Sequence, residues 1–352
     1  MKEGRSLQAL CAELDRQLTT KKDIIARQDV LTMSVETPPP AIAEGEKAAP
    51  PEPRLVISEM DEAPLPIRPH AHGQIAGHLG IPKLYYDRML ASQPELLTRN
   101  VNTWLAEAPG KRRMVRMLDG RMRAFLSDAY QRIENFDIAE QALRALADVG
   151  EMNVVSCEVT ELRLYIKATF PRVQREVAVG DVIEAGVMIT NSEVGANSAS
   201  VLPFANRLIC TNGMVIPDSK LQVRHAGARH GGDEDAYILQ EDTKRASDKA
   251  ILLKLRDYIG AAADEAAFAR RIEKMQSTMD RRMTGDINEG VQVLGKARGL
   301  LEGERSSVLR HLIEGGDLSQ WGLINAVTRT AQDCKSYDRA TELETMGGHM
   351  LD

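Results

Sequence analysis

Positively charged side chains concentrate between residues 111 and 132 of a chain whose formal net charge is −6. This segment contains seven Lys and Arg residues but only two acids, Asp119 and Asp128, so its formal charge is +5. Cations on one face of a hairpin neutralise the phosphates of a nucleic acid, whereas the alternative is an outer face paired with nearby acids. The candidate phosphate-binding residues are Lys111, Arg112, Arg113, Arg116, Arg121 and Arg123.

The dipeptide Asp119-Gly120 predicts the turn of this hairpin, with strands at 113–118 and 122–130. Side chains alternate along a strand, so Arg121 and Arg123 are expected on one face and Met122 on the other.

A second concentration of polar residues lies at 191–213, where Asn, Ser and Gly are unusually frequent. The segment has three interpretations. It could form a nucleotide or substrate pocket with Asn191 and Asn206, or line a nucleic-acid groove with Arg207. It could also be a structural hairpin whose Asn and Gly residues supply turn geometry.

Other candidates extend this basic region. Arg224 and Arg229 belong to a glycine-rich basic loop at 224–232, whose backbone could approach phosphates closely. Aromatic rings among arginines can stack on bases, and Tyr130 and Phe204 are the stacking candidates. The alternative is that such rings fill the core behind a sheet.

The elements that must position these residues form an α+β pattern with an antiparallel, sheet-rich middle. Helical spacing predicts an N-terminal helix over 6–29, and helices recur beyond 233. We therefore expect four segments: an N-terminal helix (1–36), a Pro/Ala/Glu linker (37–54), an α+β core domain (55–232) and a C-terminal helical region (233–352).

Residues 72–90 predict two helices joined by a turn at Gly80-Ile81-Pro82, with a third helix over 94–105. This pattern is similar to a helix-turn-helix, although few of the many helix pairs in proteins read DNA. The alternative is an ordinary helical hairpin with Ile75, Leu79, Leu84, Tyr85 and Met89 in the core.

Composition narrows the class of protein. The first 18 residues do not resemble a signal peptide, and no stretch reaches the roughly 20 apolar residues of a membrane span. Four scattered cysteines suit a reducing compartment. We expect a cytoplasmic protein without cofactor or bound metal. Common catalytic motifs are absent from the sequence, so an enzyme is the less favoured class.

Four blocks of the sequence resemble phage- and plasmid-encoded proteins with "domain of unknown function 932". They are HGQIAGHLGIPKLYYDRM, RRMVRMLDGRMRAFLSDAYQRIEN, NSEVGANSASVLPFANRLICTNGM and GLINAVTRTAQDCKSYDRATELETMGG. The resemblance implies a setting in bacterial mobile elements, where small recombination proteins anneal single strands.

We therefore expect a single-stranded DNA-binding protein that acts in recombination, replication or repair, with strand annealing as one activity and a homo-oligomer as its assembly. One alternative is an enzyme acting on nucleic acids or nucleotides, with a pocket at 191–213 that includes Glu193. Another is a non-enzymatic protein that binds a host factor.

Overall fold

The computed structural model describes residues 1–36, 50–60, 63–217, 221–223 and 241–352. The fold is α+β, with a sheet-rich middle between N-terminal and C-terminal helices, as the sequence predicts. Its strands form three antiparallel sheets. The helices are α1 (Leu7–Thr20), α2 (Pro69–His78), α3 (Lys83–Ser92), α4 (Pro94–Ala106), α5 (Asn135–Val149), α6 (Glu241–Ala262), α7 (Glu265–Ser277), α8 (Ile287–Arg298), α9 (Glu302–Gly315), α10 (Gln320–Asp333) and α11 (Tyr337–His349).

The strands follow the same chain order. They are β1 (Lys21–Arg27), β2 (Leu31–Glu36), β3 (Glu52–Ile57), β4 (Leu65–Pro66), β5 (Arg112–Leu118), β6 (Arg121–Ser127), β7 (Asn153–Val159), β8 (Leu164–Ala178), β9 (Asp181–Asn191), β10 (Ala199–Arg207), β11 (Asn212–Val215) and β12 (Leu221–Val223).

The N-terminal helix ends earlier than its apolar spacing predicts. Ser6 caps α1 by accepting a hydrogen bond from the Ala9 amide at 3.1 Å, which satisfies one of the free amides of the first turn. The predicted helix is wrong over Lys21–Arg27, because these residues form β1 and pair along their whole length with β5. Backbone pairing with a distant strand has overridden the local preference.

The basic hairpin therefore belongs to a three-stranded sheet with the order β1-β5-β6. Asp119 and Gly120 both have positive φ, 54° and 70°, as the predicted two-residue turn requires. A second small sheet, β2-β3-β4, packs against α4 and shares a core with α2 and α3.

The largest sheet has six strands, β11-β10-β9-β8-β7, with β12 pairing with β10. One face packs on a large apolar core that includes α1, α5, α6 and α7. The other face meets α11 through a smaller cluster around Tyr165, Phe204 and Tyr337. Two further helices, α10 and α11, lie within the C-terminal region that the sequence predicts to be helical. Among the described residues, no helix is both long and apolar enough to cross a membrane.

Candidate functional site

The hairpin β5-β6 is covered on both faces. On one side, the Phe125 amide donates to the Gln74 side chain of α2 at 2.8 Å. On the other side, Val194 packs against Met114 and Ala124. Only Arg121 and Ser127 at the ends of β6 escape full burial. The expectation that Arg121 and Arg123 share one exposed cationic face is wrong, because the segment after β9 covers Arg123.

Two hairpin arginines form buried ion pairs instead of a phosphate-binding surface. Arg116 is fully buried, and its guanidinium contacts Asp23 at 2.9 Å and Glu134 at 2.6 Å. Arg123 is 5% exposed and lies 2.7 Å from Glu193. A guanidinium that is enclosed and already paired cannot neutralise a phosphate, so Arg116 and Arg123 drop out of the candidate interface.

The acids of this cluster differ in their titration. Burial raises the pKa of Glu134, but attraction by Arg116 together with hydrogen bonds to Glu193 and Lys21 outweighs burial and lowers the pKa to about 2. Burial raises the pKa of Glu193, although Arg123 opposes this shift. Glu193 also accepts a hydrogen bond from the Asn135 amide at 2.7 Å. The cluster joins β1, β5, β6 and the start of α5. Its acids, Asp23, Glu134 and Glu193, lie outside residues 111–132, so the charge count over that segment does not include them.

The remaining hairpin cations are partly available. Lys111 and Arg112 are exposed at the start of β5. Arg121 is 55% exposed, with Glu52 at 3.7 Å. Arg113 donates to Nδ1 of His78 at 2.7 Å. Three of the six candidate cations thus remain on the surface, Lys111 and Arg112 at the open end of the hairpin and Arg121 beside its turn.

The segment that follows β9 makes structural contacts. Asn191 is fully buried and donates to the Ile133 carbonyl and the Asn135 side chain, both at 2.9 Å. The Ser192 hydroxyl donates to the Leu162 carbonyl at 2.7 Å, and the Ser192 carbonyl accepts from the Tyr130 hydroxyl at 3.0 Å. These contacts favour the structural interpretation of residues 191–196, because they tie the end of β9 to the segment between the hairpin and α5.

Three further candidates are also engaged within the protein. Asn206 is buried, and Phe204 is 1% exposed in the core beneath α11, so this ring cannot stack on a base. Arg207 makes two hydrogen bonds to Asp181, at 2.7 and 2.8 Å. The candidates Arg224 and Arg229 lie outside the described residues. The candidate residues that the structure describes therefore do not form the nucleic-acid groove that the sequence predicts.

A small polar cleft of about 180 Å³ lies beside Arg123 and Glu193. The arginines at its walls are paired with acids, for example Arg68 with Glu161 at 3.1 Å and Arg16 with Asp119 at 2.6 Å. In the described part of the chain, no group of three or more His, Cys, Asp or Glu side chains could hold a metal ion. The enzyme alternative gains no support from this cleft.

The clearest exposed feature is α3, the second helix of the pair that the sequence predicts. Tyr86 and Met89 are buried, whereas Leu84 is 88% and Tyr85 is 48% exposed. The expectation that Leu84 and Tyr85 fill the core is wrong, because Tyr86 occupies that place against His72, with ring centroids 4.4 Å apart.

Two cations flank these exposed side chains on α3. Lys83 and Arg88 are both exposed, and Lys83 forms an ion pair with Asp87 one turn later. The N-terminus of α3 follows α2 after four residues, so its first turn adjoins the end of α2, where His78 contacts Arg113. The charge count of the sequence did not single out Lys83 or Arg88, although the helix-turn-helix pattern contains them.

An α+β protein with a pair of short helices before a large antiparallel meander sheet is the class that this geometry defines. A comparison with protein families matches residues 124–342 to "Domain of unknown function (DUF932)". The match covers more than half of the chain, and the protein belongs to this family. No curated protein and no solved structure matches the chain.

Proposed function

We propose that this protein binds duplex DNA through the outward face of α3. One observation carries the proposal: α3 follows α2 after a four-residue connection, the element order of a helix-turn-helix, and its face with Lys83, Leu84 and Arg88 is exposed. In such motifs the second helix enters the major groove, with its first residues at the base edges.

The chemistry of that face suits this role. Lys83 and Arg88 can contact phosphates or guanine edges, and exposed Leu84 and Tyr85 can contact thymine methyl groups. The N-terminus of α3 also carries the positive end of the helix dipole, which favours a phosphate nearby. Lys111 and Arg112 add exposed positive charge near the end of α2, since the next residue, Arg113, contacts His78 there.

The second candidate is single-stranded DNA binding, with strand annealing by a homo-oligomer in recombination, replication or repair. Its support is the exposure of Lys111, Arg112 and Arg121 on the hairpin sheet. For both candidates, the sequence blocks that resemble phage and plasmid proteins support a protein that is encoded by a bacterial mobile element and acts in the cytoplasm.

Fluorescence anisotropy distinguishes these candidates. The full chain is titrated against a labelled random-sequence duplex and its labelled single strand, between about 50 and 200 mM salt. We expect preferential binding of the duplex. Changing both Lys83→Glu and Arg88→Glu should make the negative slope of log K against log salt shallower by about 2, since each lost phosphate contact contributes about 0.9 to its magnitude.

The matched control changes Arg144→Glu and Arg172→Glu together. Both arginines are exposed and paired with single acids, Glu140 and Glu151, and the change in net charge is the same. The proposal is overturned when the α3 variant binds the duplex like the control. Preferential single-strand binding that Arg112→Glu with Arg121→Glu weakens would instead support the second candidate.

A further inference from the structure

A groove of about 440 Å³ runs between the six-stranded sheet and α11. The residues that line it begin at Arg163, so none of them belongs to α3. Its floor is an ordered row of side chains. Tyr165 pairs with Thr190, Thr190 with Ser200, and Ser200 with Gln222, across β8, β9, β10 and β12. Strands lie about 4.8 Å apart, so this polar row spans about 14 Å.

A second row lies two residues away along the strands. Met188 of β9 pairs with Leu202 of β10, and both side chains line the groove. With Met346 of α11 they form an apolar patch beside the polar row. The groove therefore offers hydroxyl and amide groups along one line and apolar surface along the next.

The wall of the groove is held in place by buried contacts. Lys167 and Glu344 form an ion pair in which both side chains are 0% exposed, between the sheet and α11. Gly348 lets α11 lie against the sheet, because a Cβ at this position would come within 1.8 Å of the Val215 carbonyl oxygen. A wall fixed in this way forms the groove before any ligand arrives.

Two groups in the groove, the Thr190 hydroxyl and the Arg298 guanidinium, have unused bonding capacity. The Thr190 hydroxyl is buried and has no hydrogen-bond partner among the described residues, although buried polar groups are nearly always paired. Arg298, the last residue of α8, lines the groove and makes no ion pair with the described residues. Asp338 is already engaged by the Tyr165 hydroxyl at 2.7 Å.

We propose that this groove binds a nucleoside monophosphate. Arg298 holds the phosphate, and Thr190, Ser200 and Gln222 bind the polar edges of the base or sugar. Met188 and Leu202 pack against the face of the base. A groove of this volume falls in the range of small-ligand sites, which combine apolar walls with a few placed polar groups.

Saturation-transfer difference NMR and calorimetry on the full chain test this site, with AMP, GMP, CMP and UMP as separate probes. At least one should bind, and Arg298→Gln and Thr190→Val should each weaken it about tenfold. Lys296→Gln, on the exposed surface of the same helix, is the matched control and should bind like the wild type.

Three results would overturn the proposal. The first is the absence of binding by all four nucleotides, and the second is unchanged binding by Arg298→Gln. Inorganic phosphate is titrated in parallel, and the third is an equal affinity for phosphate alone, because the site would then bind an anion without recognising a base. Because Arg298 is exposed, its variant remains informative if Thr190→Val fails to fold.

Discussion

Arg123 and Glu193 join two sheets of this protein. Nη2 of Arg123, on the hairpin strand β6, lies 2.7 Å from Oε2 of Glu193, just after β9 of the large sheet. The two side chains are 6% and 4% exposed. Each charge is enclosed by protein, so each depends on the other for compensation.

Breaking this pair should destabilise the fold strongly. Glu193→Gln leaves the Arg123 guanidinium buried without its carboxylate, and such changes cost about 3–5 kcal/mol. Urea unfolding at neutral pH measures the loss. The difference from wild type should shrink in acid, because a protonated Glu193 resembles glutamine and its pKa is raised by burial.

The control for this change is Glu140→Gln. Glu140 pairs with Arg144 at 2.6 Å, but both side chains are about half exposed or more, and solvent screens the pair. Its loss should cost less than about 1 kcal/mol. Equal costs for Glu193→Gln and Glu140→Gln would show that the buried pair does not hold the two sheets together.

His78 should make stability depend on pH in the mildly acidic range. Its Nδ1 accepts from Arg113 at 2.7 Å, so Nε2 carries the proton and donates to Gln28 at 2.9 Å. Burial, with Arg113 nearby, lowers its pKa from 6.5 to about 4. Between these values the unfolded chain binds more protons than the folded chain, so stability falls as pH falls from 6.5 toward 4.

His78→Gln keeps a donor and an acceptor but does not titrate. Because burial also lowers the pKa of His72 to about 4, the variant should lose about half of this pH dependence. Urea unfolding of the wild type and His78→Gln at several pH values between these limits measures it. An unchanged slope in the variant would assign the dependence to other groups.

Local patterns predicted much of the fold. The Asp119-Gly120 hairpin, the helices at 72–105 and the antiparallel, sheet-rich middle all form, because turn chemistry and periodicity act over a few residues. The strand at Lys21–Arg27 was predicted as helix, since its pairing partner β5 lies about ninety residues later. Local spacing holds no information about such a partner.

The burial of Arg116 and Arg123 also depends on residues far away in the chain. Alternation along a strand tells which side chains share a face, but not whether another element covers that face. Arg116 is buried by acids from β1 and the start of α5, and Arg123 by Glu193, seventy residues away. The exposed face of α3 was missed because Leu84 and Tyr85 have the composition of core residues, and only the fold turns Tyr86 inward.

The exposure of α3 can be checked without DNA. Leu84→Ser should change the free energy of unfolding by less than about 0.5 kcal/mol, because its side chain is 88% exposed. Tyr86→Ala, two residues later on the same helix, should cost about 3–5 kcal/mol because Tyr86 is fully buried. A loss above about 1.5 kcal/mol for Leu84→Ser would mean that another surface covers this face.

Two glycines give a matched test of how closely α11 packs on the large sheet. Gly348→Ala would force a methyl group against the Val215 carbonyl and displace α11, at a cost of about 1–3 kcal/mol or more. Gly260→Ala, within α6, meets no atom within 4 Å and should stabilise the protein by about 0.5–1 kcal/mol. Thermal or urea unfolding of both variants measures this contrast. Equal effects would contradict the close approach of α11 to β11, and the groove beside α11 would lose its fixed wall.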